Sequence, residues 1–253
     1  MPRRYKKPPL IEALCEFQFE GSQPWDWTVP GLVYEKIHDQ FPKKRQESVL
    51  EIAMQPSQDK ILQQMKAGVA KMQFLRDDET ALIQVGPDLL AINHLCPYPP
   101  WQTFKTLILE NVEVYRRIAK PMALKRIGLR YINRIEIPNE KRQLDKYFQT
   151  LPRVPSSIPQ DLQSFLLQVD VPYDNPSGHL RLRFGTAPPG SSENLTFMLD
   201  LDFYVLADNC PPIDVAGEWI EAAHARKAPR VAWNSGMSAR RSANRRISSG
   251  WKG

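Results

Sequence analysis

Arginine recurs at every fourth position of the segment RIGLRYINRIEI, residues 126–137, as Arg126, Arg130 and Arg134. Read as a strand, whose side chains alternate between faces, the segment puts Ile127, Leu129, Tyr131, Asn133, Ile135 and Ile137 on one side. The three arginines share the other side with Gly128, Ile132 and Glu136. Guanidinium groups fixed on a sheet offer planar, paired donors to carboxylate or phosphate, so anion recognition is the chemistry this pattern could perform. Further along, Arg181 and Arg183 alternate with Leu180, Leu182 and Phe184. The candidate binding residues are therefore Arg126, Arg130, Arg134, Arg181 and Arg183.

Carboxylates follow the same alternation. Asp200 and Asp202 stand between Leu199, Leu201 and Phe203, and Asp170 between Val169 and Val171. In an antiparallel meander, an arginine-bearing strand then lies between two aspartate-bearing ones. Opposite charges across neighbouring strands contribute roughly 0.2–1 kcal/mol a pair. The pattern thus reads equally as a solvated ion-pair ladder. Arg126, Arg130 and Arg134 have no acids at matching spacing nearby in sequence, and Glu12, Glu16 and Glu20 of the first strand are their candidates. Glu16 is expected to reach Arg130. Asn133, an amide on an apolar face, must be hydrogen-bonded or cost roughly 1–3 kcal/mol, so it is expected to be buried and tied to backbone.

Other site chemistry finds little support. The chain has no glycine-rich phosphate loop, HExxH, CxxC or GxSxG motif. His38, His94, His179 and His224 lie in four different elements, and the His94/Cys96 spacing lacks the second pair a metal centre needs. Asp200, Asp202 and His179 together suggest a metal-dependent phosphodiesterase-type enzyme, for which no third carboxylate is placed. No cofactor and no metal are expected. The preferred reading is a non-catalytic binding or interaction module whose arginine-bearing face accepts nucleic acid, a nucleotide-like ligand or an acidic protein surface. A structural subunit pairing through sheet edges is a further alternative.

The elements that must position these residues are legible from periodicity. In EALCEFQFE, Ala13, Cys15, Phe17 and Phe19 alternate with polar residues, a half-buried strand. A short helix is expected over 30–41, stopped by Pro42. Strands VLEIAMQ, AKMQFLR, TALIQVG and LLAINHL follow, the last two joined by a GPD turn. The longest helix signal is WQTFKTLILENVEVYRRIA, with Phe104, Leu107, Ile108, Val112, Tyr115 and Ile118 at helical spacing. The order then restarts: RIGLRYINRIEI, a short helix at LDKYFQTL, three more strands, and a closing helix in PPIDVAGEWIEAAHA. This repetition predicts an α+β fold of two like halves, residues 1–121 and 122–225. Their antiparallel sheets would join into one curved sheet with helices on one face. The element order matches the TATA-binding-protein-like fold, with a Bet v 1-like helix-grip as the alternative.

The bulk numbers constrain the partner. The net charge of +6 suggests nucleic acid. Eight of the 34 Lys and Arg residues, however, lie in the last 28 residues with no acid among them, which leaves 26 basic against 28 acidic residues in the body. The basicity belongs to residues 226–253, which lack apolar periodicity and are expected to be disordered. Three widely spaced cysteines, Cys15, Cys96 and Cys210, fit reduced, packed thiols. No apolar run approaches the ~20 residues of a membrane span, and no secretory signal follows the basic start, so a cytoplasmic location is expected.

Two segments carry a resemblance. Tyr5-x-x-Pro8-Pro9-Leu10-x-Glu12-Ala13-x-x-Glu16 and Arg126-Ile-Gly-Leu-Arg130-Tyr-Ile-Asn133-Arg134 resemble a sporadically distributed bacterial and archaeal family of proteins of about this length. No activity is attached to that family, so the resemblance implies a soluble protein and brings no catalytic residues. In that family the last helix continues past the histidine with apolar positions. Here His224 is followed by KAPRVAW and a run without such a period, which implies either a basic appendage or a change of reading frame near residue 226.

Overall fold

The computed structural model describes residues 9–21, 24–47, 50–57, 60–67, 71–138, 144–148, 151–159, 162–188 and 194–226. The expectations for the basic C-terminal stretch beyond residue 226, and Tyr5 and Pro8 of the first motif, lie outside them.

The alternating segment at the start forms strand β1 (Leu10–Glu20), with Ala13, Cys15, Phe17 and Phe19 buried. Helix α1 (Val29–Ile37) follows, with Pro30 in its first turn, where a missing N–H costs nothing. Strands β2 (Lys43–Glu47), β3 (Leu50–Ser57), β4 (Lys60–Ala67), β5 (Lys71–Leu75), β6 (Ala81–Gly86) and β7 (Leu89–Leu95) come next. Asp88, in the expected GPD turn, takes φ 51° to close the β6–β7 hairpin. The long helix signal becomes α2 (Trp101–Ala119), which ends on Lys120 in a left-handed conformation before Pro121. Strand β8 (Ala123–Pro138) contains the arginine segment. Then come β9 (Leu166–Asp174), β10 (Ser177–Ala187), β11 (Asn194–Leu206) and helix α3 (Ala216–Ala225).

Nine strands form one antiparallel sheet in the order β2-β5-β6-β7-β1-β8-β11-β10-β9, and β3 and β4 pair with each other apart from it. The first and eighth strands are thus central neighbours. Outward from them the order is β7, β6, β5, β2 on one side and β11, β10, β9 on the other.

All three helices pack on the same face of this sheet. Tyr34 of α1 meets Phe74 of β5 at 5.3 Å between ring centroids, Tyr115 of α2 meets Phe19 of β1 at 4.8 Å, and Trp219 of α3 meets Phe203 of β11 at 5.7 Å. The core between helices and sheet is one continuous apolar cluster. Burial of this kind contributes about 1.5–3 kcal/mol per large side chain and orients every strand: apolar residues inward, the other set outward.

Three details of the sequence reading change. The LDKYFQTL segment forms only a 3-10 turn, Leu144–Lys146, after which Tyr147 and Phe148 insert into the core. Its apolar residues are too few to cover a helical face, so burying two aromatic rings takes precedence. The strand at VLEIAMQ lies outside the large sheet, in the β3–β4 pair. Two strands were not expected: the edge strand β2, KKRQE, which has no apolar alternation, and β4, KILQQMKA, the partner of β3. Among the described residues, no helix is long and apolar enough to cross a membrane.

Candidate functional site

The outward face of the sheet carries the predicted residues. Along β8, Arg126 lies across from Gln18 of β1, Gly128 from Glu16, and Arg130 from Leu14. On the other flank, Arg130 faces Asp202 and Ile132 faces Asp200 of β11. Beyond β11, Arg181 of β10 faces Asp202 and Arg183 faces Asp200, while Asp170 and Gln168 of β9 stand opposite the same two arginines. An arginine strand therefore does lie between two aspartate strands.

The arginines of β8 lean along their strand to carboxylates, and those of β10 reach straight across to β9. Arg126 reaches over Gly128 to Glu16 at 2.8 Å and Asp202 at 2.7 Å. Gly128 provides the room: a Cβ there would sit 2.6 Å from Arg126 Nη1. Arg130 clasps Asp200 with two bonds, Nε to Oδ1 at 2.7 Å and Nη2 to Oδ2 at 2.6 Å. Arg134 bonds Glu136 of its own strand at 3.0 Å and the Pro188 carbonyl at 3.4 Å. Arg181 bonds Asp170 at 2.8 Å and the Tyr204 hydroxyl at 3.0 Å. Arg183 bonds Gln168 at 2.8 Å, and its nearest carboxylate, Asp200, is 3.7 Å away. The Arg126 and Arg181 guanidinium carbons each lie 5.1 Å from the Tyr204 ring centroid, within cation–π range. On the β1 side, Asn93 donates to Glu12 at 2.5 Å and receives a bond from Gln84.

The predicted Glu16–Arg130 pair is thus replaced by Glu16–Arg126, and Glu12 bonds Asn93, because Glu16 sits opposite Gly128 and only Arg126 leans over that gap. Asn133 is half-buried, not fully buried. Its amide donates to the Leu199 carbonyl of β11 at 3.2 Å and more loosely to Tyr131, so the expected tie to backbone is present. Six carboxylates on this face (Glu12, Glu16, Glu136, Asp170, Asp200, Asp202) meet five arginines. The face is close to electroneutral.

Burial sets its electrostatics. Asp200 and Asp202 are each only 9% exposed. Burial raises the Asp202 carboxyl above the ordinary aspartate range, with Arg126 and Arg130 opposing, and its Oδ1 has no hydrogen-bond partner. The carboxylate bond to Arg130 raises that guanidinium, as Asp170 does for Arg181. Charges held this way are rigid: ordering and desolvation have already been met within the fold.

The residues of the metal alternative are engaged in other contacts. Asp200 and Asp202 face arginines, and His179 stacks on Tyr204 at 5.6 Å. Among the described residues, no group of three or more His, Cys, Asp or Glu side chains could hold a metal. His94 is buried with Nδ1 on the Leu95 carbonyl at 2.8 Å, and Cys96 is exposed rather than packed. Cys15 is buried, which pushes its thiol well up and leaves it inert.

Sequence reasoning missed a cluster beneath the helices. Tyr131 Oη stands 2.7 Å from His224 Nδ1, and His224 stacks on Trp101 at 3.6 Å with rings 2° from parallel. Trp101 and Lys105 both donate to Glu221, the latter at 2.6 Å. Burial raises Tyr131 far above the usual phenol range, so it stays protonated. This cluster fastens α3 to α2 and to β8. Only the placement of Trp101 and His224 at the outer ends of the two helix signals pointed to it.

The fold and this face define an α+β protein with helices on one side of an antiparallel sheet and a lattice of ion pairs on the other. No protein-family model matches the chain, and no curated protein matches it.

Proposed function

We propose that this protein is a non-catalytic binding module whose working surface is the ion-paired face of the sheet. The observation that carries the reading is the lattice itself: five arginines held in fixed orientation on β8 and β10, the two strands that flank β11, on the face the helices leave alone. A layer this neutral does not attract polyanions over a distance. It recognises at short range, by exchanging internal partners for those of a surface carrying carboxylates. Arg183, whose nearest carboxylate oxygen lies at 3.7 Å, and Arg134, whose second contact is a backbone carbonyl at 3.4 Å, are the two arginines with most to gain. The partner best suited is an acidic protein surface, whose carboxylates planar guanidinium groups pair with two parallel bonds at short range. A nucleic acid, by contrast, would draw mainly on counterion release.

The same proposal takes the chain as a duplicated unit of TATA-binding-protein-like type and as a member of the sporadically distributed family its motifs resemble. The outward order of strands from the β1–β8 pair supports the duplication. On this reading the counterpart of α1, nine residues long, is the 3-10 turn Leu144–Lys146 in the second half.

The test is a salt titration of binding to a glutamate-rich peptide and to a single-stranded oligonucleotide. It compares the full chain, a chain ending at residue 226, and Arg134→Ala/Arg183→Ala. Peptide binding that survives truncation and falls in the double variant is expected. Binding that vanishes on truncation and ignores the arginines would assign the activity to the basic C-terminal stretch and overturn the reading.

A further inference from the structure

The two edges of the large sheet are built differently. At one edge β2 presents Lys43, Lys44, Arg45, Gln46 and Glu47, a charged strand of the kind that discourages another strand from adding. At the other edge β9 reads LLQVDVPYD, and Leu166, Val169 and Val171 are 64%, 41% and 40% exposed. Among the described residues no strand pairs with its outer side. The helix layer accounts for this: α3 has ten residues against nineteen in α2 and packs on β8 and β11, touching β10 at Ser177 through Trp219, so the sheet outruns its helices at this end.

We propose that β9 is a dimerisation strand, adding antiparallel to β9 of a second copy about a two-fold axis at Val169. The occupant is argued from the strand's own sequence. In this register the Val169 side chains meet each other and Leu167 meets Val171 of the second copy, which extends the apolar face without a break. On the opposite face Gln168 meets Asp170 of the second copy. Gln168 Nε2 reaches its own Asp170 at only 3.4 Å, so this amide can turn across the junction. Asp170 is neutralised by Arg181 at 2.8 Å, so no lone charge is buried. The neighbouring register, centred on Asp170, sets two carboxylates face to face and brings Pro172, which has no N–H, close to the axis. The Val169 register carries Pro172 out opposite Leu166, near the strand end. Head-to-tail addition of β9 to β2 would put Lys44 beside the valines, so the assembly closes as a dimer and does not grow into a filament.

Sedimentation velocity of the full chain over a wide concentration range should show a reversible monomer–dimer equilibrium. Val169→Lys/Val171→Lys should abolish the dimer while the circular dichroism and cooperative melting of a folded monomer are retained. For the register, Val169→Cys in a Cys96→Ser background should form a disulfide-linked dimer on mild oxidation. Val171→Cys in the same background should not, since residue 171 lies opposite Leu167 of the second copy. A monomer at every concentration, a dimer that persists in the lysine variant, oligomers that grow beyond two, or equal cross-linking at both positions would each overturn the proposal.

Discussion

Replacing Arg126 by Met keeps the length of the side chain and removes its charge. The Arg126 side chain is 15% exposed and donates one bond to Glu16 and one to Asp202, both shorter than 3 Å. Charge-assisted bonds of this type contribute about 1.5–3 kcal/mol each, and stripping one partner from a buried ion pair costs about 3–5 kcal/mol. The expected loss at neutral pH is therefore about 3–5 kcal/mol, read as a fall in the urea midpoint with unchanged slope. The pH dependence follows from Asp202, whose folded-state pKa burial raises above its unfolded value. Its ionisation costs the folded state stability above that folded pKa, and the cost is relieved as pH falls through it. Without Arg126 the raising influence meets less opposition, so the deficit of Arg126→Met should shrink on moving from neutral to mildly acidic pH. Asp202→Asn should recover a large part of it at neutral pH, because the orphaned charge goes with it. Urea unfolding of wild type, both single variants and the double variant at two pH values gives the coupling directly. A deficit below about 1 kcal/mol would mean that the pair is no stronger than an exposed surface bridge. A deficit independent of pH would show that Asp202 is not the group left stranded.

Two other substitutions probe the frame around this face. Gly185→Ala places a Cβ 2.5 Å from the Phe165 carbonyl oxygen, a backbone atom that cannot step aside, and should cost about 1–3 kcal/mol in the same unfolding assay. Tyr131→Phe removes the hydroxyl 2.7 Å from His224 and should cost about 1–2 kcal/mol. Faster amide exchange confined to α3 should accompany it, as expected if that contact fastens the helix.

Strand periodicity carried most of the architecture because one face of nearly every strand is buried, and burial imposes a period of two that the sequence records. Where burial on one face is missing, the record is blank: β2 has five polar residues and was invisible. The ladder of Arg181 and Arg183 between aspartates was legible for the same reason, since partners one strand away keep the same alternation. The partners of Arg126 and Arg130 were not. Which carboxylate a long guanidinium reaches depends on its lean along the strand and on the space at Gly128, neither of which spacing encodes. His224 and Tyr131 meet across 93 residues of chain by helix docking alone, a relation that no local pattern announces.

The central position of β1 and β8 also governs how the chain can reach its native state. Those two strands pair from Leu10 with Asn133 to Glu20 with Ala123, with a register shift near each end, through contacts more than a hundred residues apart. A ribosome must release β8 before the middle of the sheet can close, and Phe17 and Phe19 cannot be fully enclosed on that flank until then. Loop closure over this distance sets a kinetic penalty that local hairpins such as β6–β7 do not face, so slow, non-local assembly is built into the topology. The β5–β6–β7 meander can form before β8 is available, whereas the β1–β8 seam must wait for it.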